Sequence, residues 1–132
     1  VVQWLNSLTE TCVVCEAVAQ HMNRYLYTFL HLWKNDTAFR KKWESSTGVC
    51  IPHAVERLKH AKKHLGGEKQ QAFAASLLSL LKKNLVQDEK DLEWFTLKFD
   101  YRNHDKPWGN SKNALERTVN CLRGRCVGED KK

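Results

Sequence analysis

Between Cys12 and Trp33 the apolar positions Val14, Val18, Met22, Tyr25, Leu26, Phe29, Leu32 and Trp33 recur at intervals of three and four, the period of a helix with one buried face. This predicts a first helix, with Thr9 or Thr11 as the N-cap and Glu16 suited to the positive end of its dipole. Asn35-Asp36 interrupts the pattern. Asp36 is placed to cap a second helix, Thr37 to Glu44, whose Phe39 and Trp43 share a face. The run Ser45-Ser46-Thr47-Gly48 ends it. A third helix is predicted from near Cys50 or Pro52, where a first-turn proline costs no hydrogen bond, to Leu65 ahead of Gly66-Gly67.

The longest periodic stretch runs from Glu68 to about Phe99, as one long helix or two stacked ones divided at the polar patch Gln87–Lys90. Asp100 to Gly109, DYRNHDKPWG, has the composition of an ordered loop, and Asn110 or Ser111 is a cap for a last helix that Gly124 should stop near Arg123. No alternating β-type run, internal repeat or second-domain linker interrupts this order. The expectation is an all-α fold, a compact bundle of about five to six helices forming one domain over residues 1–132, with the tail 127–132 frayed.

Composition narrows the class. At 132 residues, folding buries roughly 70% of the surface of the unfolded chain, enough for a core without staples. No run approaches the roughly 18 apolar residues of a membrane span, and the start lacks the pattern of a signal peptide, so a cytoplasmic protein away from membranes is expected. The first residue is Val1, which leaves a processed N-terminus open. The net charge of +7 attracts anions and makes an anionic partner, nucleic acid included, a weak expectation.

The five cysteines are an odd number, and three of them fall with a histidine into two pairs of equal spacing, Cys12 with Cys15 and Cys50 with His53. Residues three apart at a helix start face one side, so each pair is a two-toothed ligand and the two pairs complete a tetrahedron. Three thiolates and one imidazole suit zinc in a closed structural site, tying the first helix to the third across 34 intervening residues. The same residues are open to two other uses. A Cys-x-x-Cys at a helix N-terminus has its thiolate favoured by the backbone dipoles, which makes Cys12 the attacking and Cys15 the resolving thiol of a redox pair, although no thioredoxin-like βαβ pattern accompanies it. An iron–sulfur cluster with Cys3His ligation is also compatible.

With Cys12-Val13-Val14-Cys15 and Gly48-Val49-Cys50-Ile51-Pro52-His53 in these positions, the chain resembles an uncharacterised bacterial family of helical proteins with an N-terminal CxxC and a GxCxxH about 35 residues on. The resemblance extends to Lys98-Phe99-Asp100-Tyr101-Arg102 and Lys106-Pro107-Trp108-Gly109. It implies that the four residues act as a unit and supplies no mechanism.

Other features have simpler readings. His60 and His64, four apart, form a possible second metal pair, but Lys59, Lys62 and Lys63 around them read better as a solvated basic face that offsets a helix C-terminus, with a phosphate or nucleic-acid surface as the functional alternative. Cys121 and Cys126 could meet if Gly124 turns the chain back, and are otherwise free thiols. A carboxylate of the Asp100–Gly109 loop could orient His53. Tryptophans and other aromatics at helical spacing read as core, which leaves a nucleic-acid-binding module through basic helix faces as a third class of function. No Gly-rich phosphate loop, nucleophile elbow, di-iron motif or EF-hand loop is present, and whether the chain is an enzyme stays open.

Overall fold

A computed structural model describes residues 1–10 and 12–124; the expected frayed tail and the Cys121–Cys126 question fall on or depend on residues outside that range. Among the described residues the chain is all-α, with six α-helices and no strand: α1 Val2–Glu10, α2 Val13–Asn35, α3 Thr37–Glu44, α4 Ile51–His64, α5 Gly67–Leu97 and α6 Ala114–Arg123. Two 3-10 turns, Tyr101–Asn103 and Gly109–Ser111, punctuate the loop between α5 and α6. Among the described residues no helix is long and apolar enough to cross a membrane.

The helical period located most of these elements. The second predicted helix is α3, and Asp36 caps it by accepting a bond from the Phe39 backbone N–H at 3.0 Å. The stretch expected as one or two helices is a single 31-residue helix, about 46 Å long. Its polar patch does not break it because Asp88 turns inward to an ion pair with Arg117 instead of into solvent. Gly124 ends α6 with φ 84°, a backbone state that only glycine adopts freely.

Three local expectations are corrected. The N-cap of α2 is Cys12 itself, with no side-chain cap bond; Thr9 is already inside α1, a helix that the pattern did not announce, and Thr11 lies outside the described residues. The last helix starts at Ala114 behind Asn113, since Gly109 to Ser111 form a 3-10 turn first. Neither acidic group of the intervening loop reaches His53: Asp100 pairs with Arg102 at 2.6 Å and Asp105 with His104 at 3.3 Å.

The core forms where α2, α3, α4 and α5 meet. Phe73 is fully buried, with Trp33 edge-on at 5.1 Å and Phe29 at 6.2 Å, while Trp43 of α3 closes on Phe29 at 4.9 Å. Leu30, Leu77, Leu80, Ala54 and Ala61 complete it, the alanines letting α4 approach its neighbours closely. Among the described residues α1 and the first turns of α2 stay outside this core: Val2, Trp4, Leu5 and Leu8 are exposed, and so are all of residues 12–21, Val13, Val14 and Val18 included. The loop after α5 is ordered by Lys98, whose buried ammonium donates to the carbonyls of Asn103, His104 and Lys106 at 2.8, 2.7 and 2.6 Å.

Phe73→Ala removes the side chain at the centre of the aromatic cluster and is expected to cost about 3–5 kcal/mol, read as a lowered urea midpoint at unchanged slope. Val14→Ala, on the uncovered start of α2, should leave the midpoint within about 0.5 kcal/mol of the parent.

Candidate metal centre

Both predicted ligand pairs sit at helix starts. Cys12 is the N-cap of α2 with Cys15 in its first turn, and Cys50 is the N-cap of α4 with His53 in its first turn. Pro52 in that turn supplies no N–H where none would be paired, which fixes the entry of α4 at little cost.

Each pair is closed on itself. The Cys50 sulfur lies 3.0 Å from His53 Nδ1. The Cys12 thiol is held below its usual range by the nearby backbone N–H of Cys15, then by the Cys15 side chain and the backbone N–H of Val14. These are the unpaired amides of a helix N-terminus, so the negative form of Cys12 supplies their missing acceptor. Cys12, Cys15 and His53 are exposed and Cys50 is half-buried.

The two pairs do not form one ligand shell in this structure, for among the described residues no group of three or more His, Cys, Asp or Glu side chains converges at metal-binding range. The helices that carry them are nevertheless aligned. His60 Nε2 meets Asn23 Oδ1 at 3.0 Å, and Tyr27 meets His64 edge-on at 5.3 Å, so α2 and α4 run in the same sense with one turn on each helix advancing together. Both contacts join residues 37 apart in sequence; Cys12 with Cys50 and Cys15 with His53 are 38 apart. Both pairs therefore belong to the same end of the α2–α4 unit.

The segment leading into Cys50 depends on Gly48. Its φ is +72°, and a Cβ there would lie 3.0 Å from Asn84 Nδ2 and 3.2 Å from Leu80 Cγ. The glycine lets the chain pass against α5, where the Asn84 amide donates to the Thr47 carbonyl. Arg57, one turn after His53, donates to the His53 carbonyl at 3.2 Å and lies over the Phe29 ring at 5.1 Å. Burial lowers its pKa and the charge of a Cys50 thiolate raises it, so a cation attends this thiol.

A residue assigned no firm role by its spacing joins the neighbourhood. The end of α6 lies by the start of α4, with a Cβ on Gly124 reaching 4.0 Å from Pro52, and Cys121 lines with Cys50 one open cleft of about 980 Å³. Burial, then the charges of Asp88 and Cys50, push the Cys121 thiol up, which favours its neutral form. The cleft wall is held by Arg117, which donates to Asp88 at 2.7 Å, Asp91 at 2.6 Å and Asn113 at 2.9 Å. No periodicity argument could find Cys121, because its proximity to Cys50 is made by the packing of α6.

His60 and His64 do share a face of α4, their rings stacked at 5.8 Å and 22°. Arg24 and Tyr27 of α2, with Lys63 of α4, line the same groove, and Glu56 lies further back on α4. Burial, then the charges of His64 and Lys63, hold His60 below its usual range against the smaller opposing effect of Glu56. Protonation would also place a hydrogen on Nδ1, which is buried without a partner.

The fold and the two ligand pairs define an all-α protein with sulfur and imidazole donors gathered at helix starts. The chain belongs to DUF6062, a family of unknown function that matches residues 1–129. Comparison with curated proteins and with solved structures found no match for the chain.

Gly48→Ala is expected to lose about 1–3 kcal/mol in urea unfolding, from the left-handed backbone and the crowding by Asn84 and Leu80 together. Because the folded pKa of His60 is depressed, the folded state binds fewer protons than the unfolded one. Its contribution is present above the unfolded value near 6.5 and is lost as pH falls through the folded value. Stability measured from pH 7 down to pH 5 should therefore fall less steeply in His60→Gln than in the parent; identical slopes would rule this contribution out.

Proposed function

We propose that this chain is a metal-binding helical protein in which Cys12, Cys15, Cys50 and His53 hold zinc and so link the start of α2 to the start of α4. The observation that carries the reading is the pairing of the donors: Cys50 with His53 at 3.0 Å, and Cys12 with Cys15, each pair on a first helical turn. Tetrahedral zinc separates a bound sulfur from a bound imidazole nitrogen by about 3.5 Å, so the Cys50–His53 pair needs to open by only about 0.5 Å to chelate. The two pairs share an end of two helices that run in the same sense, and the exposed start of α2 has no core packing to lose in moving toward α4.

Zinc bound by three thiolates and an imidazole has no open position, which makes its contribution structural. The protein's own part is to favour the thiolate of Cys12 and to place a cation near Cys50. The helix amides serve Cys12, and the Arg57 cation attends Cys50. Stability then comes from linkage, since metal held by the folded state alone shifts unfolding by about 2.7 kcal/mol at 100 times the dissociation constant.

A dithiol redox role for Cys12 and Cys15 is the second reading. It is favoured by the solvent exposure of both thiols and by the amides that promote the Cys12 thiolate.

Competition with a chromophoric chelator should show a single zinc equivalent per chain and a raised melting temperature. Cys12→Ala and Cys50→Ala should each weaken binding at least about 100-fold and abolish the thermal shift. Equal zinc binding by both variants overturns the site. Absence of zinc binding, with two thiols lost reversibly on mild oxidation in the parent but not in Cys15→Ala, moves the assignment to the dithiol.

A further inference from the structure

The groove between α2 and α4 lies away from both cysteine pairs and has an electrostatic character of its own. About 590 Å³ in volume, it is walled by Arg24, Tyr27 and Thr28 on one side and by His60, Lys63 and His64 on the other. Among the described residues no carboxylate lines it. Among the described residues neither Arg24 nor Lys63 enters an ion pair, and the neighbouring acid, Glu56, is already bound to Lys59 at 2.8 Å.

The negative end of the α4 dipole accounts for cations in that helix's last turn, where Lys62, Lys63 and His64 stand. It does not account for Arg24, which reaches the groove from the middle of α2. Nor does it account for two imidazoles stacked at 5.8 Å beside the Lys63 ammonium on one wall. Tyr27 adds a hydroxyl to the same wall, while that of Thr28 is already donated to the Arg24 carbonyl at 3.1 Å.

We propose that this groove binds a phosphate group, free or as the monoester of a small molecule, between the Arg24 guanidinium and the Lys63 ammonium with His64 as a further donor. Arg24 supplies the planar fork that pairs with two oxygens, and Lys63 a point charge from the opposite wall. A compact anion suits the dimensions better than a polynucleotide. The wall residues span little more than one turn of each helix, and Glu56 stands where a backbone following α4 would continue. This site stands independently of zinc binding.

The test is a nuclear magnetic resonance titration of the full chain with inorganic phosphate at constant ionic strength, following the imidazole resonances of His60 and His64. Saturable shifts of both rings are expected, weakened about tenfold in Arg24→Ala and in Lys63→Ala and unchanged in Lys112→Ala. Tighter binding of glycerol phosphate than of inorganic phosphate would assign the ester as the ligand, and equal binding would assign the free anion. Shifts reproduced by chloride, or insensitive to Arg24→Ala, would overturn the site. So would preferential binding of a single-stranded oligonucleotide whose salt dependence is reduced equally by lysine substitutions outside the groove.

Discussion

Burial of Phe73 against Phe29, Trp33 and, through Phe29, Trp43 is the constraint on which the rest of the molecule depends. Edge-to-face rings fix orientation as well as separation, so this contact sets how α2 and α3 lie on α5. Ala54 and Ala61 then let α4 settle into the remaining space, which brings Cys50 and His53 to the end of the bundle where α2 begins. The candidate donors lie at helix starts, but the positions of those starts are determined by the aromatic core.

Most of the fold was legible in the sequence because the buried faces follow one period. The strong stretches became α2, α3, α4 and α5, and Asp36 and Gly124 act at the boundaries their chemistry suggests. What was not legible depended on pairings between distant residues. Asp88 looked like part of a helix break, yet Arg117 draws it inward and keeps α5 continuous. The role of Lys98 had no signal in the spacing, because it is made by three loop carbonyls that capture the ammonium. The helix α1 was missed since its apolar residues Val2, Trp4, Leu5 and Leu8 stay exposed among the described residues and so follow no burial pattern.

The candidate site divides in the same way. Spacing pointed to each candidate donor pair and to the helix start that holds it, both local properties. It also explained the glycine of the GxC segment only in part, because the close approach of Gly48 to Leu80 and Asn84 is a tertiary fact. Cys121 and the Arg24 side of the basic groove come into view only with the packing of α6 and the register of α2 on α4.

The central claim is that two preformed pairs combine into one metal shell, and the measurement that tests it most directly is X-ray absorption at the zinc edge on the zinc-loaded chain. Coordination by three sulfurs at about 2.3 Å and one imidazole nitrogen at about 2.0 Å is the predicted result. A shell dominated by nitrogen and oxygen, or one that keeps its full sulfur count in Cys50→Ala, would contradict it.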